Sequence, residues 1–144
     1  MGKKQIATIT DTEAKTEEAV STTRSSSKKR VESGKLYVRA TYNNTTLVLT
    51  DKKGNVLAKS SSGSLGFKGA KKGTPFVASR IGEVLSEKAA DLGMKEVTVV
   101  VSGVGAGREA GIRSFVMKGI YITTISDVTP VPFNGVKAKK PRRV

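Results

Sequence analysis

The sequence predicts an α/β fold, and three observations carry that prediction. Leu36, Val38, Ala40 and Tyr42 alternate with polar or charged neighbours, which is the period of a half-buried strand. Val97–Val101 is an unbroken β-branched run, suited to a strand covered on both faces. Between these strands, Thr74-Pro75 is a helix start, and an apolar stripe of Val77, Ile81, Val84, Leu85 and Leu92 follows it. Strand–helix–strand passes cross over right-handed and place helices on the faces of a mixed sheet.

The elements follow in order. Residues 1–34 are rich in Ser and Thr, with Ile6, Ile9, Val20 and Val31 as their large aliphatic residues, so they read as a disordered leader. No apolar run follows Lys3-Lys4 to make a secretory signal. Five acidic residues in the leader argue against a transit peptide, and a cytoplasmic location is expected. Asn43-Asn44 tolerates positive φ and predicts a tight hairpin between the first strand and a second over Thr45–Thr50. Asp51–Asn55 is a turn signal, and Val56–Ser60 is a third strand. The first helix runs from Pro75 to a stop at Gly93, and Val97–Val101 is the fourth strand. A second helix spans about Arg108 to Lys118, with Ile112, Phe115 and Val116 inward; Gly119 ends it before a last strand at Ile120–Ile125.

Composition bounds the function. The chain has 144 residues and a formal charge of +14, from 26 Lys and Arg against 12 Asp and Glu. Residues 131–144 hold five basic side chains and no acid, the pattern of a nucleic-acid-binding extension. With no Cys and no His there is no disulfide, thiolate nucleophile, Cys/His zinc site or Ser-His-Asp triad. Neither a metal nor an organic cofactor is expected. Glu83 and Glu87 are an i,i+4 like-charge pair with Arg80 and Lys88 nearby, which suits a solvated face better than acid–base chemistry.

Three segments are candidate binding elements. Gly105-Ala106-Gly107-Arg108-Glu109-Ala110 fits G-x-G-x-x-A, with Asp127 twenty residues beyond Gly107, and so imitates a dinucleotide fingerprint. A tight strand-to-helix turn explains the same glycines, and Arg108 and Arg113 favour RNA phosphate over a pyrophosphate. The loop Gly63–Lys72 sets Lys68, Lys71 and Lys72 among glycines, with Phe67 either stacking on a base or tucked into the core of a solvated loop, and Arg80 stands on the helix behind it. The tail from Pro130 through Asn134-Gly135 to Lys137, Lys139, Lys140, Arg142 and Arg143 is held extended by prolines. It can thread between RNA helices, using guanidinium forks on phosphates. Asn134-Gly135 is also chemically prone to succinimide formation and isoaspartate.

These residues resemble one family, the universal small-subunit ribosomal protein eleven in its bacterial form. The resemblance rests on Asn43-Asn44-Thr45 with Thr50–Asn55, on Gly69–Phe76, on Gly105–Glu109, and on Asp127–Pro130 through Asn134-Gly135 to Pro141–Val144. The chain departs at Val104, Phe133 and Val136, where the family often has Pro, His and Cys. The resemblance implies a ribonuclease-H-like, three-layer α/β/α fold on a five-stranded mixed sheet, without nuclease activity. It implies a place on the small-subunit platform, bridging rRNA helices beside the Shine-Dalgarno duplex. Platform proteins seven and eighteen, and initiation factor three, are the neighbours it implies.

The expected organisation is therefore a leader (1–34), an rRNA-binding α/β domain (35–128) and an extended basic tail (129–144). The expected contacts are Asn43, Asn44, Thr45, Lys68, Lys71, Lys72, Arg80, Arg108 and Arg113 in the domain. In the tail they are Pro130, Asn134, Gly135, Lys137, Lys139, Lys140, Arg142 and Arg143. A nucleotide-binding enzyme using Gly103–Gly107, and a generic basic DNA-binding module, are the two other readings of the same residues.

Overall fold

The computed structural model describes residues 30–141. The expectations for residues 1–29 of the leader and for Arg142 and Arg143 fall outside them. Five strands form one sheet: β1 (Ser33–Ala40), β2 (Thr45–Asp51), β3 (Val56–Ser61), β4 (Glu96–Ser102) and β5 (Tyr121–Asp127). Their order is β3-β2-β1-β4-β5, antiparallel through β1, β2 and β3 and parallel from β1 to β4 to β5. Helix α1 (Pro75–Asp91) joins β3 to β4, and α2 (Gly107–Val116) joins β4 to β5.

The expected five-stranded mixed sheet is present, but the described residues make two layers rather than three. Both crossovers step across the sheet in the same direction, from β3 to β4 and then from β4 to β5. A right-handed path in one direction puts both helices on one face. There they pack on each other: a Cβ on Gly82 of α1 would lie 2.5 Å from the Gly111 carbonyl oxygen of α2 and 3.0 Å from Ser114 Cβ. Only a bare backbone at Gly82 permits that approach.

The covered face carries the core. Leu36 and Val38 of β1, Leu47 and Leu49 of β2, and Val97, Val99 and Val101 of β4 meet Val77, Ile81 and Leu85 of α1 and Phe115 of α2. Each large apolar side chain buried this way contributes about 1.5–3 kcal/mol. The opposite face of the sheet has no helix on it among the described residues. Val100 there is only half buried, so the β-branched run of β4 is covered on one side and not both.

Local signals account for the element ends. Pro75 opens α1, and Gly93, with φ +75°, accepts the left-handed conformation just past its end. The β1–β2 connection departs from the left-handed turn expected of its sequence. Asn43 and Asn44 do not use positive φ. Instead Thr41 N donates to the Asn44 carbonyl at 2.9 Å, and Asn44 N donates to Thr41 Oγ1 at 3.1 Å. A side chain closes this four-residue turn, so left-handed backbone is unnecessary.

Candidate nucleic-acid interface

The sheet topology gathers the loops that the sequence singles out. β1, β3, β4 and β5 all end at one edge of the sheet, where β2 and both helices begin. The hairpin turn, the loop from Ser62 to Thr74, the β4–α2 loop and the root of the tail therefore converge. Direct contacts tie them together. Ser62 N donates to Thr45 O at 3.0 Å, and Gly105 N donates to Ala40 O at 2.9 Å. A Cβ on Gly73 would meet the Tyr42 carbonyl, with Tyr42 C at 3.1 Å.

The loop end also gathers cations next to a helix start. Lys68 and Lys71 are exposed and Lys72 is half-exposed around a 3-10 turn at Gly69–Gly73, just before α1. No acidic residue occupies the first turn of α1, and no side chain caps its amide groups. The Thr74 hydroxyl donates backward to Lys71 O at 2.8 Å instead. Helix amides and lysines thus favour an anion here together. The opposite end, at the starts of β1 and β4 and the ends of β2 and α1, mixes Glu32, Asp51, Asp91 and Glu96 with Arg30, Lys52, Lys53, Lys88 and Lys95. Glu109 stands exposed in the first turn of α2.

Of the two readings of the aromatic beside the lysines, the structure takes the core-packed one. Phe67 is half-buried, packs on the core and meets Phe76 edge-on, with ring centroids 6.5 Å apart. Phe76 is the exposed ring (62%), and the Arg80 guanidinium sits 5.8 Å from its centroid. Phe76 follows Pro75 in the first turn of α1, where one side of the helix faces water; Phe67 lies in a turn folded back on the core. Tyr42, which the alternation placed on the apolar side of the first strand, lies beyond the end of β1 at Ala40; it is 78% exposed in the hairpin and is a second exposed aromatic at this end. Arg80 also pairs with Glu83 at 2.9 Å, which tempers it as a phosphate ligand. Arg113 lies toward the far end of α2, beside an apolar groove of about 490 Å³ between α2 and β5, away from the loop cluster.

Three of the expected contacts are engaged inside the protein. Thr45 is fully buried, and its hydroxyl has no hydrogen-bond partner among the described residues, so it presents nothing to a ligand. Asn44 accepts from the Ser62 hydroxyl and donates to Thr46 Oγ1 at 3.3 Å, leaving Asn43 as the exposed amide of the turn. Arg108 donates to the Gly103 carbonyl and to Asp127. Thr129 completes that cluster, donating its backbone N–H to Asp127 Oδ1 at 2.8 Å and accepting from Gly103 N at 3.1 Å. The hydrogen bonds from Arg108, then those from Thr129, hold the Asp127 carboxyl at about 2, below its ordinary 3.8. Arg108 is therefore a latch on the root of the tail rather than a free cation. Beyond the latch, Pro130, Asn134, Gly135, Lys137, Lys139 and Lys140 are exposed, and Asn134 has φ +56°.

The glycine loop is a packing device and not a pyrophosphate cradle. A Cβ on Gly103 would strike the Ala40 carbonyl, and one on Gly105 would strike that of Thr41, with Thr41 C at 2.8 Å. One on Gly107 would lie 2.6 Å from Thr45 Oγ1 and 2.9 Å from Ala78 Cβ. The space that a dinucleotide fingerprint leaves for phosphate is filled by β1 and its turn, and the Gly105 amide is already bonded. Asp127, the apparent ribose ligand, is held by Arg108. Among the described residues no group of three or more carboxylates is placed to hold a metal ion, and no helix is long and apolar enough to cross a membrane.

A family model described as ribosomal protein S11 matches residues 34–143, which span the sheet, both helices and nearly all of the tail. With the glycine fingerprint accounted for by packing, and with lysines, helix amides and the tail root gathered at one end, the chain belongs to the ribosomal protein S11 family, a structural protein of the small ribosomal subunit and not an enzyme.

Proposed function

We propose that the protein binds and bridges small-subunit rRNA on the platform, using the loop end of the sheet and the basic tail together. One observation carries the proposal: Lys68, Lys71 and Lys72, the uncapped start of α1, Asn43 and the root of the tail share one end of the fold. The domain supplies a rigid cationic surface, and the tail after Pro130 reaches beyond it. Phosphate contacts position the complex, while Asn43 and Phe76 engage unpaired nucleotides. The Arg108–Asp127–Thr129 cluster directs the tail out of the same end. A position beside the Shine-Dalgarno duplex, with platform proteins seven and eighteen and initiation factor three as neighbours, is part of this reading. It rests on the family and not on any contact in the fold.

Deleting residues 136–144 removes five cations. Binding to a fragment of platform rRNA should weaken, and the dependence of log K on log salt should flatten by about 0.7–0.9 for each phosphate that the tail no longer neutralises. Circular dichroism should show the domain still folded. Unchanged affinity and salt slope would refute the role of the tail. Equal affinity for duplex DNA at moderate salt would favour a generic DNA-binding module instead.

A further inference from the structure

The bare face of the sheet has a composition of its own. Along β1 the side chains on this face are Lys35, Tyr37 and Arg39, and Tyr37 is 38% exposed at the centre. The register sets Tyr37 between Val48 on β2 and Val100 on β4, both half-buried, with Lys59 of β3 beyond Val48. Arg39 lies between Thr46 and Ser102, and Lys35 lies between Thr50 and Thr98. Neighbouring strands are about 4.8 Å apart, and alternate residues on one strand about 6.7 Å apart. An aromatic ring on a small apolar floor therefore has cations on three sides, Lys35 and Arg39 about 6.7 Å along β1 and Lys59 about 9.6 Å away across two strands. Glu96, at the start of β4, marks the margin of this face.

Topology and charge both constrain what covers it. Parallel ladders such as β1-β4-β5 are ordinarily covered on both faces, and here the second cover is missing among the described residues. The cations Lys35, Arg39 and Lys59 complement a polyanion, whereas an apolar protein surface would leave them desolvated and unpaired. We infer that this face is a second RNA surface, on which an unpaired base stacks against Tyr37 while Lys35, Arg39 and Lys59 hold the flanking phosphates. Stacking on an aromatic platform tolerates any base, so the site selects single-stranded RNA by its exposed base planes and not by sequence. The inference builds on the rRNA reading but uses a surface that the loop end and the tail do not share. Arg39 leads directly into the Tyr42–Asn43 turn, so one strand of RNA can pass from one surface to the other.

The test uses the full chain and a uridine 12-mer carrying 5-iodouridine, irradiated and mapped by peptide mass spectrometry. Cross-linking to Tyr37, about tenfold weaker binding of Tyr37→Leu, and near-normal binding of Tyr37→Phe are the expected results. Leu keeps an apolar side chain on the strand, and circular dichroism verifies that each variant is folded. Arg39→Gln with Lys59→Gln should weaken binding and lower the salt slope without moving the cross-link. Cross-links confined to Tyr42, Phe76 or the tail, with Tyr37→Leu binding normally, overturn the sheet-face inference and leave the rRNA reading standing. Failure of the wild-type chain to bind any RNA defeats both. Chemical cross-linking of purified small subunits that joins Lys35 and Lys59 to a neighbouring protein, with no RNA adduct on Tyr37, assigns the face to a protein partner and overturns the inference.

Discussion

Gly105→Ala separates the two meanings of the glycine loop. The added Cβ would lie 2.8 Å from Thr41 C and 2.9 Å from Ala40 C, and closer still to the Thr41 carbonyl oxygen. Ordinary carbon contacts need about 3.5–4.0 Å, so the loop and the β1–β2 turn must part by roughly an ångström. Both obstructing groups are backbone and cannot rotate away. Opening the contact also stretches the 2.9 Å hydrogen bond from Gly105 N to Ala40 O. Forcing an extra carbon into such a site costs about 1–3 kcal/mol. In a domain of this size that corresponds to a fall in Tm of about 4–12 °C. Thermal denaturation followed by circular dichroism measures it, with Gly63→Ala as the control. A Cβ at Gly63 meets nothing within 4 Å and its φ is not positive, so its Tm should stay within a degree or two. If the loop cradled phosphate, the outcome would be reversed: Gly105→Ala would keep its Tm and acquire a defect saturable with a nucleotide. An unchanged Tm for Gly105→Ala would refute the packing argument.

Thr45→Val keeps the shape of a fully buried side chain and removes a hydroxyl without a partner among the described residues. Urea denaturation should show stability unchanged or raised by up to about 1 kcal/mol; a loss above that size would reveal a bond that the hydroxyl makes. Asp127→Asn should loosen the root of the tail with little change in global stability, seen as faster amide exchange at Val128 and Thr129 while the β4 amides stay protected. The carboxyl is held at about 2 against an ordinary 3.8, so the latch contributes fully above pH 4 and is lost as pH falls through that interval. The same exchange signals followed from pH 5 to pH 2 check the sign; loosening on raising the pH instead would contradict it.

Much of the architecture was legible because its causes are local. Alternation located β1, Pro75 and Gly93 bracketed α1, and the acid-free run after Val131 marked the tail. The loop lysines followed from composition in the same way. What failed or stayed open was pairwise. Phe67 and Phe76 lie nine residues apart in similar surroundings, and only packing decides which ring sits against the core and which faces water. Arg108 and Asp127 are each ordinary charged residues in sequence. Their pairing needs α2 and the end of β5 to meet, nineteen positions apart. Asn43 and Asn44 invited a left-handed turn, but Thr41 satisfied the turn amide first.

The sequence by itself determined the strands, the helices, the family and the sign of the charge. Periodicity, capping and composition act over a few residues and survive without a partner. The tertiary structure decided which face each element buries and which cations remain free. It turned a nucleotide-like glycine motif into a packing contact, because β1 occupies the space that phosphate would need. Among the described residues it also left one face of the sheet open, since two right-handed crossovers in the same direction can cover only the other.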